Sequence, residues 1–312
     1  MKSDRFSNYA KKPLAKTIKV ADFNRINDHI EWIRANRVSE LNTRRFPAKL
    51  IHIDFSFSRF LKPYHIAPLA CLIYEYQQKG FKIKISRIPD TIQEYFKTFN
   101  FYQFCKDEDE NNFPTPSNPK TFPLWRIDPK VINLYPKEVQ DYFENNQFRG
   151  SDLFVLSNSL AELMNNIFDH SGSKIPGFTF TQFNSRNNQI ITCVCDFGVG
   201  IPNHVNKFLK DNGQPTFSNE IALQKALEFK FSTLTKPHNR GFGWDTIFNS
   251  VKDLRGKILI ISNDALYQLM NDGTSRINLL ESNFPGTLVV IYLNTKNLPV
   301  KEEELTDELI IL

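Results

Sequence analysis

The sequence predicts a protein of mixed α/β architecture in two parts, a smaller α/β domain followed by an α+β domain. Three observations lead to this prediction. The chain has 312 residues, of which 41% are hydrophobic, and this is enough to bury a core in each of two ordinary domains. The first half contains a strand, a helix, a glycine and a second strand in succession. The second half begins with one long helix, which four strand-like segments follow.

In the first half, the alternating segment 50–55 predicts a strand, and residues 66–76 carry apolar side chains at helical spacing. After Gly80, residues 81–85 alternate again. A strand, a helix and a strand form a βαβ unit, which favours parallel pairing of the two strands. A further helix is expected around 92–99.

Residues 106–124 carry a charge cluster and four prolines, and they are the best candidate for a loop or boundary. A helix is expected at about 136–146. We therefore divide the chain into a regulatory or docking domain at 1–128, a connecting helix at 129–150 and a second domain at 151–312.

The second domain is expected to open on a helix from about 151 to 170, which Ser171-Gly172 would end. Helical material separates the strand candidates that follow. These candidates are residues 178–183, 190–195, 257–262 and 287–293.

The net charge of +5 arises from the N-terminal segment, because residues 1–45 hold eleven Lys or Arg against five Asp or Glu. Such a segment can contact nucleic acid or an acidic partner, but a solvated arm and helix face explains the same charges. No basic stripe interleaved with aromatic residues supports nucleic acid as a partner.

No apolar stretch approaches the roughly 20 residues needed to cross a bilayer, and the N-terminus lacks the apolar segment of a signal peptide. We therefore expect a cytoplasmic protein with no membrane partner. Cys193 and Cys195 alternate within a strand-like run and should face one side of a sheet, whereas Cys71 and Cys105 stand alone. Without a CxxC pair or a Cys/His cluster, we expect reduced thiols and no zinc.

A polar edge is predicted along the long helix. Residues four apart share a helix face, so Glu162, Asn166 and His170 align, with Asp169 beside them. An amide oxygen can bind Mg²⁺, which takes one or two protein oxygens together with phosphate oxygens and waters. Glu162 is placed to polarise a water or hydroxyl that attacks a γ-phosphate. The alternative is the ordinary polar stripe of an amphipathic helix.

Asp196 follows the strand-like run 190–195, so its carboxylate emerges at a strand end. A carboxylate there can accept a hydrogen bond from an exocyclic amine such as adenine N6. Gly198 and Gly200, which precede Ile201, permit positive φ and let a flat base approach the backbone. A plain glycine turn is the alternative. Asp-Phe-Gly also occurs in protein kinases, but the other kinase motifs and a P-loop are missing from the sequence.

A third motif, Arg240-Gly241-Phe242-Gly243, precedes a predicted helix at 245–254. Glycines at a helix start expose N–H groups where phosphates can bind. The roughly forty residues before this motif are polar and long enough to form a mobile lid.

The fourth motif, Gly286-Thr287, begins the last strand. Thr287 could present its hydroxyl to a base or to a bound water, and an ordinary β-branched strand residue is the alternative. In order, the chain therefore has a carboxylate and an amide four apart, two Gly-x-Gly turns and a Gly-Thr pair. This combination predicts a nucleotide site.

These motifs resemble the N, G1, G2 and G3 boxes of the GHKL ATPases, which include gyrase, the large heat-shock chaperones, histidine kinases and mismatch-repair ATPases. The match covers about 151–293 and implies the α+β two-layer sandwich of the Bergerat ATP-binding fold, with ATP and Mg²⁺ bound. By this resemblance, Glu162 is the catalytic base, Asn166 the Mg²⁺ ligand and Asp196 the adenine anchor. The other nucleotide-binding residues that it implies are Asn165, Asp169, His170, Gly198, Gly200, Ile201, Arg240, Gly241, Phe242, Gly243 and Thr287.

The spacing Glu-x-x-x-Asn-x-x-x-His is most similar to the serine-kinase and anti-sigma-factor branch. Phe242 and Trp244 depart from the family pattern, in which leucine usually stands at the tryptophan position, and this bears on the lid geometry. The first half resembles, more weakly, a STAS domain. Phosphorylatable STAS domains have Ser or Thr where this chain has Lys62-Pro63, which disfavours an internal kinase substrate and favours a docking or regulatory domain.

Three functions are compatible with this resemblance. We prefer a slow ATPase that acts as a conformational switch in a regulatory or signalling complex, because a pure binder has no need of Glu162. The alternatives are a kinase for Ser or Thr on a separate partner and a nucleotide sensor without catalysis. None of His29, His52 and His65 shows a histidine-kinase phosphoacceptor arrangement. We expect a protein partner at the N-terminal domain, and a homodimer is compatible with the sequence.

Overall fold

The computed structural model describes residues 15–38, 49–106, 114–228 and 243–301. They form a mixed α/β structure with a three-stranded parallel sheet and a five-stranded antiparallel sheet. In chain order the elements are β1 (Lys16–Ala21), α1 (Ile26–Asn36), β2 (Leu50–Phe57), α2 (Pro63–Gln78), β3 (Lys82–Ser86), α3 (Asp90–Lys97), α4 (Phe101–Lys106), β4 (Thr121–Ile127), α5 (Val131–Asn146), α6 (Phe154–His170), β5 (Gly177–Asn184), β6 (Gln189–Asp196), α7 (Ile201–Asp211), α8 (Asn219–Leu227), α9 (Gly243–Asp253), β7 (Lys257–Leu269) and β8 (Ser275–Asn294).

The parallel sheet has the strand order β1-β2-β3. Ile18, Ile53 and Ile85 lie side by side across it. The predicted βαβ unit is confirmed as β2, α2 and β3. A second unit, formed by β1, α1 and β2, precedes it. In β1, buried Ile18 and Val20 alternate with exposed residues, which gives this short strand one apolar face.

The antiparallel sheet has the strand order β4-β5-β6-β8-β7. The strands expected at 178–183 and 190–195 are confirmed as β5 and β6. Those expected at 257–262 and 287–293 belong to a longer hairpin, because β7 continues to Leu269 and β8 begins at Ser275. β4 precedes residue 128 but pairs with β5. The second sheet therefore begins within the segment that the sequence assigns to the first domain.

Helix α2 lies between the two sheets. It contacts β3 of the parallel sheet and β5 and β6 of the antiparallel sheet. Every residue from Ile66 to Ile73 is buried, and a helix that is apolar all round is typical of such a position. One hydrophobic core therefore joins the first half of the chain to one face of the antiparallel sheet.

The other face of the antiparallel sheet is covered by α5, α6 and α9, and together they form a second core. As a result, β6 is buried from Ile190 to Asp196 without the alternation of a half-exposed strand. Helices α7 and α8 pack on each other and on β7. Because α7 follows β6 after a short loop, these contacts position the segment directly after Asp196, where the candidate site lies.

All four cysteines are buried and free of disulfides, as the sequence predicts for reduced thiols. The Cys193 thiol faces α2 and donates to the carbonyl of Pro63 at 3.2 Å. Cys71 donates to the carbonyl of Cys195 at 3.6 Å. Burial raises the pKa of the Cys193 and Cys195 thiols, so they serve as packing groups.

None of the helices in the described ranges has the length and apolar character that crossing a membrane requires.

Candidate functional site

Asp196 is the last residue of β6, and it lies in register with one residue from each of two other strands of the sheet. Thr287 of β8 is its partner in the register, and Ser262 of β7 pairs with Thr287 on the other side. Asp196 is 2% exposed and accepts hydrogen bonds from the backbone N–H groups of Gly198, at 2.6 Å, and Thr287. Burial outweighs these two bonds and raises the pKa of Asp196 to about 7. A buried carboxyl with a strongly shifted pKa is typical of a functional site.

Glycines let the chain pass close to this carboxyl. A Cβ atom on Gly198 would overlap the carbonyl oxygen of Ser171 and would lie 2.6 Å from Oδ1 of Asp196. A Cβ atom on Gly286, which has a φ of +128°, would overlap the carbonyl oxygen of Asp196. Both positions therefore require glycine. Gly200, the next glycine of the predicted turn, stands at the N-terminus of α7.

The hydroxyl of Ser262 joins the loop after β6 to the last strand. It accepts a hydrogen bond from the N–H group of Ile201 at 2.7 Å and is hydrogen-bonded to the Thr287 hydroxyl at 2.9 Å. The Thr287 hydroxyl is thus engaged with the protein, and the residue is 7% exposed. The sequence does not single out Ser262, because its place beside Thr287 depends on the pairing of β7 with β8.

Glu162 and Asn166 lie one turn apart on α6. Glu162 is half-buried, and burial raises its pKa; among the described residues, no ion pair or hydrogen bond to its carboxylate offsets this. Its carboxylate lies against the start of α9, because a Cβ atom on Gly243 would come within 2.5 Å of Oε2. The Nδ2 atom of Asn166 is buried, with no hydrogen-bond partner in the part of the chain that the structure describes. Unsatisfied polar groups at a buried site are costly, so this pair indicates a place for a ligand.

The end of α6 connects this polar edge to the loop after Asp196. The carbonyl of Ser171, directly after α6, accepts a hydrogen bond from Val199 N–H at 2.7 Å. Asn165 is exposed on the helix. Other predicted site residues lie outside the described part of the chain. They are the side chains of Asp169 and His170 in the first motif and the whole of Arg240, Gly241 and Phe242 in the third motif.

The described residues contain no group of three or more His, Cys, Asp or Glu side chains that could hold a metal ion. Asn166 is the predicted metal ligand, and the Nδ2 atom of its amide has no hydrogen-bond partner among the described residues. An amide oxygen fits Mg²⁺, but a single protein ligand is sufficient only if a bound ligand supplies further oxygens. These residues therefore fit a cation that arrives with a phosphate-bearing molecule.

Trp244, the departure from the family pattern, lies in the first turn of α9. Its ring stacks on that of Phe248 with the centroids 5.7 Å apart, and it packs against the second core. The tryptophan therefore anchors the end of α9 that carries Gly243.

The first half of the chain reaches this site through Arg37, which sequence reasoning does not single out. Its guanidinium lies 4.3 Å from the ring centroid of Phe197, the residue after Asp196. It also donates two hydrogen bonds to the Glu75 carboxylate, at 2.6 and 2.7 Å, and both side chains are largely buried. No local pattern reveals this pair, because 38 residues separate its members.

Comparison of the chain with protein-family models finds no match, and comparison with curated proteins finds none either. The functional argument therefore depends on the geometry of the site and on the motifs.

Proposed function

We propose that the chain binds ATP together with Mg²⁺ and hydrolyses it slowly, as a nucleotide-driven conformational switch. On this proposal the second half has the Bergerat fold of the GHKL ATPases. The support is the arrangement around the antiparallel sheet, in which α6 carries Glu162 and Asn166, β6 ends at Asp196, and α9 begins beside Glu162.

The buried carboxyl of Asp196 carries the proposal. The N–H groups of Gly198 and Thr287 hold it in one orientation, and the glycines at 198 and 286 keep side chains away from it. An amino group such as adenine N6 is a donor that matches a carboxylate. Its hydrogen bond would favour the ionised form and so offset part of the cost of burial.

Glu162 suits the role of a general base. Its raised pKa brings its proton affinity closer to neutrality, where proton transfer from a water is efficient. Asn166, one turn away, offers an amide oxygen to Mg²⁺, which would neutralise charge on the phosphate oxygens. The N-terminus of α9 adds a positive dipole end beside them.

The contacts between the first half of the chain and the end of β6 are suited to a conformational switch. Arg37 holds Phe197 at the end of β6 and is itself held by Glu75 of α2. A ligand that moves Phe197 would therefore change contacts of both α1 and α2. Such a differential contact is what a nucleotide-dependent switch requires.

Incubation of the pure protein with γ-labelled ATP and Mg²⁺ tests this proposal. We expect labelled free phosphate from the wild type, no ATP binding by Asp196→Asn, and ATP binding without phosphate release by Glu162→Ala. Asn158→Ala, which removes a polar group one turn earlier on α6, is the matched control and should behave as the wild type.

Unchanged ATP affinity of Asp196→Asn would refute the assignment of the adenine anchor. Normal turnover by Glu162→Ala would show that this carboxylate is not the base. Label on a serine or threonine of a protein would favour the kinase alternative, and ATP binding without any phosphate release would favour the sensor.

A further inference from the structure

A cleft of about 530 Å³ lies between α1, α7 and the irregular part of the β7–β8 hairpin. Its walls include Arg34 of α1, Asn203 and Lys207 of α7, Asn263 of β7 and Pro285 of β8. It also borders the loop after Asp196, but none of the described residues that line it belongs to α6 or α9. The cleft is therefore a different place from the polar edge that Glu162 and Asn166 form.

The cleft has an excess of positive charge. Arg34 and Lys207 are exposed at its rim, and neither side chain has an ion pair or hydrogen bond among the described residues. No Asp or Glu is among the described residues that line it. Two unpaired cations at one opening favour an anionic ligand, and phosphate groups bind to Arg and Lys side chains.

The inner walls have a different character. Val199, which is 44% exposed, and Pro285 contribute apolar surface to the lining of the cleft. A volume of this size lies within the roughly 300–1,000 Å³ that is usual for small-molecule sites. The cleft is thus large enough for a nucleotide and offers its apolar part a surface.

Asparagine amides connect the cleft to the loop after Asp196. The side-chain amides of Asn203 and Asn263 both donate to the carbonyl of Val199, at 3.0 and 3.2 Å. Asn263 is 4% exposed, and its Oδ1 atom is buried with no hydrogen-bond partner among the described residues. This atom lies against Gly200 at the start of α7, where an added Cβ atom would come within 2.5 Å of it.

The backbone of Val199 extends this connection to α6. Its N–H group donates to the carbonyl of Ser171, while its carbonyl accepts from the two cleft asparagines. A ligand that rearranges the asparagine amides would therefore act on Val199, whose backbone connects the end of α6 to the loop after Asp196.

We propose that this cleft binds a phosphorylated small molecule of nucleotide size, with its phosphate between Arg34 and Lys207 and its apolar part against Val199 and Pro285. The cleft is separate from the polar edge of Glu162 and Asn166, but it shares Gly198 and Gly286 with the surroundings of Asp196. The effect of this binding on the proposed ATP site, through Val199, rests on the proposed function.

Calorimetric titration with inorganic pyrophosphate in the presence of EDTA tests the binding. EDTA removes the Mg²⁺ that the proposed ATP site requires, so the cleft is tested alone. We expect the double variant Arg34→Ala/Lys207→Ala to bind pyrophosphate at least tenfold more weakly than the wild type. Lys210→Ala/Arg276→Ala removes the same charge from exposed positions that do not line the cleft, and it should bind as the wild type does.

No binding by the wild type, equal binding by Arg34→Ala/Lys207→Ala, or an equal loss in the control pair would overturn the proposal. Uridine diphosphate should bind several-fold more tightly than pyrophosphate, because its nucleoside can use the apolar wall, and equal affinities would refute the part given to Val199 and Pro285. Adenosine has no phosphate and therefore tests the proposed ATP site. Its binding should be lost in Asp196→Asn and retained in the other variants. A failure of that measurement alone would count against the proposed ATP site and not against the cleft.

Discussion

Replacement of Asp196 by Asn should stabilise the protein at alkaline pH, and under the proposed function it should also abolish nucleotide binding. Burial raises the pKa of this carboxyl from its ordinary 3.8 to about 7. Between these values the folded chain holds a proton that the unfolded chain has released, so the free energy of unfolding falls as the pH rises. Asparagine has the same shape and no charge, and the variant therefore avoids this loss.

The size of the effect follows from the pKa shift. A difference of about 3 pKa units corresponds to roughly 4 kcal/mol at pH values above 7. Asparagine satisfies the N–H groups of Gly198 and Thr287 less well than a carboxylate, which costs about 1–2 kcal/mol. At pH 5 the part due to ionisation is only about 1.5 kcal/mol. The stability difference between variant and wild type should therefore grow by about 3 kcal/mol from pH 5 to pH 8.

Urea unfolding at pH 5 and pH 8, followed by the fluorescence of the three tryptophans, measures this difference. Asp211→Asn, which removes an exposed carboxylate at the end of α7, is the control for the loss of one negative charge. If the Asp196→Asn difference stayed constant to within about 1 kcal/mol, the carboxyl would not be buried as described and the reasoning would fail.

Two further predictions concern the close packing at Gly198, with Gly213 as its control, and the acid sensitivity that His29 causes. Gly198→Ala should destabilise the protein by about 3 kcal/mol because its Cβ overlaps Ser171, whereas Gly213→Ala, with a φ of +67° but open space, should cost about 1 kcal/mol. Equal urea midpoints for these variants would contradict the close approach. Burial lowers the pKa of His29 to about 3, so below pH 6.5 only the unfolded chain takes up this proton and stability falls with the pH. From pH 6.5 to pH 5, His29→Phe should lose about 2 kcal/mol less than the wild type, and equal losses would mean that His29 is hydrated.

The elements that the sequence predicts are those with a complete local pattern. β2 and β3 alternate, and α6 has helical spacing over four turns, so their periodicity is sufficient. β4 lacks such a pattern because it is buried on both faces and contains Pro123. Proline is compatible with this strand since β4 lies at the edge of the sheet, where its register is also irregular. From the sequence alone, the same proline indicates a loop.

The site residues likewise divide into those that a local sequence pattern predicts and those that it does not. Asp196 and Gly198 belong to one short motif, and the chemistry of each can be interpreted from its neighbours in the chain. Ser262 and Arg37 act through contacts that span strands or sheets, with Thr287 and Phe197 respectively. Their roles depend on strand register and on the packing of the two halves, which no local pattern contains.

The position of α2 determines how the two halves of the protein can influence each other. Cys193 and Cys195 lie on β6 just before Asp196 and contact α2, and Arg37 holds Phe197 just after it. A core of native packing density does not deform continuously, so a displacement at the end of β6 must either move α2 or break these contacts. Under the proposed function, a partner that binds the first half better before or after such a displacement would change the affinity for the nucleotide. By linkage, the nucleotide would change the affinity for that partner by the same factor.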